Sequence, residues 1–178
     1  GEAEAERQAR LEIVAYSGFA VVAVVVVLFL CFRRRSYPWV VVSNLPFSLI
    51  GGIAAIGATG IGLSLGALVG LVTVFGVSAR NAILLLAHYE HLVDVEGAEW
   101  NRGTALRGSA DRLVPILMTA LVTALGLAPL ALGLGRAGYE IEAPMAIAVL
   151  GGLVTSTVLS LLVIPALAER TGPDRAIR

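Results

Sequence analysis

The chain alternates long apolar runs with short polar stretches. A helix that crosses a membrane needs roughly 20 mostly apolar residues in a row. Five segments meet that requirement: residues 13–32, 38–58, 63–87, 113–133 and 145–167. The pattern therefore predicts an all-α membrane protein, in which residues 13–170 form a bundle of five transmembrane helices. Polar residues form the segment 1–12 before the bundle, the connection 88–112 between its third and fourth helices, and the tail 171–178.

The composition agrees with a membrane protein. Hydrophobic residues make up 57% of the chain and charged residues 15%, whereas soluble domains carry about a quarter charged residues. Because the formal net charge is zero, no basic field attracts nucleic acid, and we expect a lipid bilayer as the surroundings. The lone cysteine, Cys31, is interpreted as a packing residue, since one cysteine forms no internal disulfide. The charged, Ala-rich start lacks the features of a signal peptide, and we interpret the chain as part of a longer protein.

The arginines predict the orientation of the spans, because cytoplasmic loops are enriched in basic residues. Nine arginines fall on one side of the alternating spans: Arg33, Arg34, Arg35, Arg102, Arg107, Arg112, Arg170, Arg175 and Arg178. Three fall on the other side: Arg7, Arg10 and Arg136. The asymmetry predicts an N-terminus outside the cell membrane. The connection 88–112 and the tail 171–178 are then cytoplasmic.

Small residues recur one helical turn apart in two of the spans. They are Gly62, Gly66 and Gly70 in the third span, and Gly152, Ser156 and Ser160 in the fifth. Small side chains at this spacing let membrane helices approach closely, so we expect these six residues at helix contacts. Pro46 in the second span and Pro129 in the fourth predict kinks whose free backbone groups need neighbours.

Arg80 lies near the centre of the third span. A central arginine costs about 2.5–3.5 kcal/mol on insertion scales. It is interpreted either as a structural arginine bound to backbone carbonyls or as part of an ion or proton pathway, and intramembrane charges favour the second reading. All 13 acidic residues lie outside the spans or at their ends, so we expect its counter-charge in protein beyond this chain. Its helical face, which includes Thr73, Gly76 and Leu84, is predicted to look into the bundle, whereas Leu85 is predicted to face lipid.

Further polar groups accompany Arg80. On the fourth span Arg112, Thr119 and Thr123 share one helical face, although a threonine hydroxyl also bonds to its own helix at the preceding turn. Asn81 follows Arg80 and is able to form hydrogen bonds between helices. His88 and His91 lie one turn apart with acids near them, but the spacing is not that of H-E-x-x-H. We therefore predict no metal site and no cofactor.

Four stretches carry a resemblance to a known family: "NLPFSLIGG", "GVSARNAILLLAHYEHL", "RLVPILMTALVTALGLAPLALG" and "EIEAPMAIAVLGGLVTSTVLSLLVIPAL". In this order they resemble the last five transmembrane helices of resistance-nodulation-division (RND) efflux permeases. The resemblance implies a twelve-helix bacterial inner-membrane permease that works as a homotrimer and exchanges substrate for protons. It also implies two partners, a periplasmic adaptor and an outer-membrane channel. Residues 1–12 would then end a periplasmic region, and the C-terminus would be cytoplasmic.

The resemblance also implies roles for individual residues. The lysine of the family's proton relay maps to Arg80, and the relay's arginine and threonine on helix eleven map to Arg112 and Thr119. Asn81 lies beside this relay, whose two aspartates on helix four are outside this chain. Because arginine does not release its proton in proteins, Arg80 would act by changing its charge contacts rather than by carrying a proton.

The motifs divide between two branches of the family. "EIEAPMAIAVLGGLVTST" and "HYEHL" are similar to the heavy-metal branch of the CusA/CzcA type, whereas "GVSARNAIL" is closer to the multidrug branch. We favour heavy-metal cation efflux. The alternatives are a multidrug permease and a non-transporting module of the same fold, such as a lipid sensor or secretion accessory. An enzyme is not expected, because the spans offer neither histidine nor acid for a catalytic pair.

Overall fold

The computed structural model describes residues 2–32, 36–60 and 62–170. This part of the chain forms five helices: α1 (Glu2–Cys31), α2 (Ser36–Thr59), α3 (Leu65–Asp94), α4 (Arg102–Ala131) and α5 (Glu142–Arg170). Each is long and apolar enough to cross a membrane. The predicted all-α fold with five spans is therefore confirmed. Arg33, Arg34, Arg35 and the tail 171–178, which entered the orientation argument, lie outside the described residues.

The helices are longer than the apolar runs that predicted them. α3 continues to Asp94 and α4 begins at Arg102, so residues 95–101 are the connection, and most of the predicted polar segment 88–112 is helical. At the start of α4 the Asn101 side chain accepts a 2.9 Å hydrogen bond from the backbone N–H of Thr104, which satisfies one free donor of the first turn. α1 likewise begins at Glu2, inside the predicted segment 1–12. Hydropathy detects the apolar span, whereas helical hydrogen bonding continues through polar residues.

α5 is the central helix of the bundle and packs against α2, α3 and α4. It runs parallel to α3, because contacts advance in the same direction along both helices, from Gly66 beside Ile141 to Ser78 beside Ser156. It runs antiparallel to α2, where Gly51 lies against Gly151. Without side chains at these glycines the backbones approach closely, which increases dispersion contacts between helices in a membrane.

α1 touches the rest of the bundle near its C-terminal end. Leu28 and Phe32 are buried there in a cluster that includes Tyr37 and Tyr89, and the ring of Phe32 packs edge-on against that of Tyr37. Most of the remaining apolar surface of α1 is exposed. Such a surface suits a membrane, where lipid tails solvate an apolar helix as well as another helix does.

The connection between α4 and α5 is a compact turn. A Cβ at Gly133 would lie 2.6 Å from the ring of Tyr139, so glycine makes room for that ring. Gly135 and Gly138 have φ of 80° and 90°, a conformation that side chains disfavour. Hydrogen bonds from the backbone N–H groups of Glu140 and Gly138 lower the pKa of the exposed Glu140 carboxyl. The turn therefore brings α5 back beside α4.

Candidate functional site

A cavity of about 280 Å³ lies between α3 and α4. Its lining contains all four residues predicted to take part in coupling, together with Thr123 and five mostly apolar neighbours. The lining residues are Val77, Arg80, Asn81, Leu84, Leu85, Arg112, Pro115, Ile116, Thr119 and Thr123. Residues 32 to 39 positions apart in the chain, Arg80 with Arg112 and Thr119, thus line one space.

Close packing at one end of the cavity holds α3 and α4 together. The hydroxyls of Tyr89 and Ser109 are 2.6 Å apart and form a buried hydrogen bond between the helices. A Cβ at Gly108 would lie 2.6 Å from the ring of Tyr89, so a glycine is needed for the ring to lie against α4. The ring of Trp100 packs edge-on against Tyr89. These contacts fix the register in which the cavity residues of α3 and α4 meet.

Two arginines line the same cavity without a counter-charge in the described part of the chain. Neither Arg80 nor Arg112 forms an ion pair with a described acidic side chain. Positive charge in a low-dielectric membrane interior requires a partner charge or several hydrogen bonds. The cavity is therefore suited to receive an anionic group, such as a carboxylate, from outside these five helices.

The orientation of α3 corrects the prediction for Leu85, which is fully buried in the core and does not face lipid. The error arose because leucine is compatible with a core, a lipid face or a protein interface inside a membrane. Thr73, Gly76, Arg80 and Leu84 are exposed in these five helices, and the place of their face inside the bundle of the full-length permease stays a prediction. The exposed side of Arg80 is available for contact with protein outside these five helices.

The threonines of the cavity are bonded to their own helix. The hydroxyl of Thr119 donates to the carbonyl of Pro115 at 2.9 Å, and that of Thr123 donates to the carbonyl of Thr119 at 2.8 Å. This is the local alternative considered for both residues. Each hydroxyl oxygen keeps lone pairs that are able to accept a hydrogen bond, so Thr119 still offers an acceptor to the cavity.

The small residues of α3 and α5 form a seam, with one exception. A Cβ at Gly70 would lie 2.7 Å from the carbonyl oxygen of Met145, and a Cβ at Gly152 would lie 2.5 Å from the side chain of Val74. Gly66 lies against Ile141. Ser156 bonds to Ser78, and Ser160 is fully buried. Gly62 is the exception, because it precedes α3 and, among the described residues, no atom lies within 4 Å of its Cβ position.

The histidines make two separate contacts. Nε2 of His88 lies 3.2 Å from Oδ2 of Asp111 on α4, whereas Nδ1 of His91 lies 3.9 Å from Oε1 of Glu96. The two rings stack with centroids 6.4 Å apart. Within residues 2–32, 36–60 and 62–170, no group of three or more His, Cys, Asp or Glu side chains is placed to hold a metal ion.

Sequence reasoning missed several contacts between helices. The hydroxyl of Thr155 on α5 donates to the carbonyl of Ser48 on α2 at 2.8 Å, beside the contact of Gly51 with Gly151. Ser78 lies eight residues after Gly70, on the same face as Gly66 and Gly70, a signal that was available. Tyr89 and Ser109 both lie in the segment 88–112, which hydropathy assigned to a polar connection, so hydropathy gave no reason to pair them.

Comparison with known proteins shows the family to which the chain belongs. The family model for the AcrB/AcrD/AcrF family matches residues 1–168. The cobalt-zinc-cadmium resistance protein CzcA of Cupriavidus metallidurans is 38% identical over 148 residues, which are 83% of this chain and 14% of that protein. The nickel and cobalt resistance protein CnrA of the same organism is 36% identical over 158 residues, covering 89% of this chain and 14% of the relative. This chain therefore spans about 14% of the length of these relatives.

A solved structure supports the fold. The crystal structure of a heavy metal efflux pump superposes with a TM-score of 0.79 and 32% sequence identity. The match covers 96% of this chain and 16% of that chain. The five helices of this chain therefore have the arrangement of a segment within a much larger membrane protein.

Proposed function

Because this chain belongs to the AcrB/AcrD/AcrF family of RND permeases, we propose that it is the C-terminal membrane part of a permease that exports a substrate in exchange for protons. The observation that carries the proposal is the cavity between α3 and α4, which two arginines line without a described counter-charge. In this proposal Arg80, Asn81, Arg112 and Thr119 are the coupling residues of the chain.

The mechanism uses the open side of the cavity. Carboxylates from another part of the permease face Arg80 and Arg112 there. When they are ionised, the guanidinium groups attract them and hold the helices together. When they are protonated, that attraction is lost, because a neutral carboxyl has no charge to pair. Arg80 keeps its proton throughout. Protonation of these carboxylates therefore changes the contacts of α3 and α4 with the neighbouring helices.

The proposed assembly follows from the family. The permease works as a homotrimer in the bacterial inner membrane, together with a periplasmic adaptor and an outer-membrane channel. The N-terminal end of this chain is periplasmic, and its C-terminal end is cytoplasmic. This orientation places His88 and Asp111 near the cytoplasmic surface and the turn at residues 132–141 near the periplasmic surface.

We propose heavy-metal cations as the substrate class. The relatives CzcA and CnrA are named for resistance to cobalt, zinc, cadmium and nickel, and the matched structure is titled a heavy metal efflux pump. A second candidate is multidrug efflux, favoured by the similarity of "GVSARNAIL" to the multidrug branch. Both candidates use the same coupling cavity. An experiment therefore tests the substrate class separately from the role of the coupling residues.

The test expresses the full-length permease, with its adaptor and channel, in a bacterial strain that lacks its own metal and drug efflux systems. Growth is measured with zinc, cobalt, cadmium or nickel salts, and separately with a panel of hydrophobic drugs. We expect metal resistance, and we expect Arg80→Ala to abolish it at normal expression. Arg102→Ala, which changes an exposed arginine at the start of α4, is the matched control. Drug resistance without metal resistance would support the second candidate, and full resistance in Arg80→Ala would overturn the coupling role.

A further inference from the structure

The contact between His88 and Asp111 lies just beyond one end of the coupling cavity. His88 is one turn from Leu84 and two turns from Arg80 on the same face of α3, and Asp111 directly precedes Arg112 on α4. Their side-chain atoms Nε2 and Oδ2 are 3.2 Å apart. The side chain of His88 is 17% exposed and that of Asp111 is 46% exposed. The pair therefore joins α3 to α4 between the cavity and the solvent at that end.

The backbone of α4 has a missing hydrogen bond at the same level. Pro115 has no N–H to donate to the carbonyl of Asp111, so the regular helical ladder lacks one bond there. On the side toward residue 101, Tyr89 and Ser109 fasten α4 to α3. On the other side lie the cavity residues Arg112 and Ile116. Asp111 thus lies where the fastened part of α4 meets the part that lines the cavity.

The chemistry of this contact depends on pH. Histidine is the side chain whose charge ordinarily changes between about pH 5 and 8. A protonated imidazole adds the attraction of opposite charges to its hydrogen bond with a carboxylate, whereas the neutral ring carries no charge to contribute. The charged or titratable groups near the pair include His91, stacked on His88, and Tyr89 and Arg112, the chain neighbours of His88 and Asp111. Arg107, one turn before Asp111, is bonded to Glu96 at 3.2 Å.

We propose that His88 and Asp111 form a titratable clamp that positions Arg112 in the cavity and makes transport depend on cytoplasmic pH. The inference rests on the proposed coupling function and adds positioning residues to it. Protonation of His88 tightens the clamp, fixing α4 against α3 beside Arg112. Loss of the proton loosens it, which lets the cavity part of α4 move relative to α3.

A neighbouring histidine provides a matched control. His91 is on the same helix, one turn further on, and its side chain is 55% exposed. Its acidic contact, Glu96, lies in the connection that follows α3 rather than on α4. Both histidines lie on α3, but of the two it is His88 that contacts an acid on α4 and so bridges the cavity helices. The proposed clamp therefore predicts that substitutions of His88 and His91 have different effects on the pH dependence of transport.

The experiment uses everted membrane vesicles from cells that express the full-length permease, because their outer solution contacts the cytoplasmic face. Respiration acidifies the interior, and Zn²⁺ is added outside as the probe. Proton efflux is followed by an acridine dye at outer pH values from about 6 to 8, the range of imidazole titration. The variants are His88→Gln, His91→Gln, Asp111→Asn, the double variant at 88 and 111, and Arg80→Ala. Glutamine keeps a hydrogen-bond donor near the position of Nε2 and does not titrate.

We expect the wild-type rate to change about threefold or more across this range, in keeping with the change of imidazole charge. His88→Gln and Asp111→Asn should each reduce the change to less than about 1.5-fold, and the double variant should go no further than either. His91→Gln should keep the wild-type profile. An unchanged profile in His88→Gln, or an equal flattening in His91→Gln, would overturn the clamp. Full flux in Arg80→Ala would instead overturn the proposed coupling function, so the two failures are distinct.

Discussion

The hydroxyl of Ser156 on α5 donates a 2.9 Å hydrogen bond to the hydroxyl of Ser78 on α3, and both side chains are fully buried. The bond continues the seam along which Gly66, Gly70 and Gly152 bring the two helices together. Within a bilayer the hydrophobic effect does not drive helices together, because lipid tails are as apolar as the side chains. Close backbone approach and hydrogen bonds between helices drive their association instead. This seam fixes the position of α3 and therefore of Arg80.

The strength of the seam can be measured with a double-mutant cycle at residues 78 and 156. We expect Ser78→Ala and Ser156→Ala each to lower the free energy of unfolding by about 1 kcal/mol or less. Their coupling should be about 0.6 kcal/mol, the average for hydrogen bonds between membrane helices. The measurement is unfolding of the purified full-length protein in detergent. A coupling of zero would show that the two hydroxyls contribute independently.

The contact of α2 with α5 depends on the absence of a side chain at residue 51. A Cβ there would clash with the carbonyl of Gly151 and lie 2.5 Å from the side chain of Thr155. We expect Gly51→Ala to destabilise the protein by about 1–3 kcal/mol through overpacking. Gly57→Ala on the same helix meets no atom within 4 Å and should leave the melting temperature unchanged or raise it slightly. Equal melting temperatures for the two variants would contradict the close approach.

Arg80 should tolerate lysine better than alanine. Lysine keeps the positive charge in the cavity but loses the planar fork that binds carboxylates through two hydrogen bonds. We therefore expect Arg80→Lys to retain part of the transport rate in the full-length permease and Arg80→Ala to retain none. Zn²⁺-driven proton flux in everted vesicles is the measurement, with expression checked by immunoblot. If lysine were as inactive as alanine, bidentate geometry rather than charge would be the requirement.

Thr119 should contribute less than the arginines. Its hydroxyl proton is already donated to the carbonyl of Pro115, so it offers the cavity an acceptor and no free donor. Thr119→Val removes the oxygen at nearly constant volume, and we expect a several-fold loss of flux. Thr123→Val, one turn further along the same helix, serves as the control and should cost less. Complete loss in Thr119→Val would contradict the smaller contribution expected for this residue.

The predicted orientation is open to cysteine labelling. In a background with Cys31→Ser, cysteines at Ser36, Ala98 and Gly138 should be cytoplasmic, cytoplasmic and periplasmic, because basic residues favour the cytoplasmic side. A membrane-impermeant maleimide applied to intact cells with a permeabilised outer membrane should label the cysteine at 138 alone. Labelling at 98 under these conditions would reverse the assignment, including the side on which His88 and Asp111 lie.

The membrane class, the five spans and the unusual charge were readable from the sequence. Insertion into a bilayer demands about 20 apolar residues for each crossing, and five such runs leave little choice of fold class. The same cost makes Arg80 conspicuous, and all 13 acids lie outside the five predicted apolar spans or at their ends. These inferences concern single segments and need no knowledge of how the helices meet.

The tertiary structure decided which faces meet. In water the apolar face of a helix marks its buried side, but in a membrane both the lipid side and the core side are apolar. For this reason the sequence did not reveal that Leu85 is buried while Leu84 is exposed, or that Gly62 is not part of the seam. It also did not reveal that α5 is central, or that His88 reaches Asp111. Close packing of side chains with similar polarity decides these relationships, and that packing exists only when the helices are assembled.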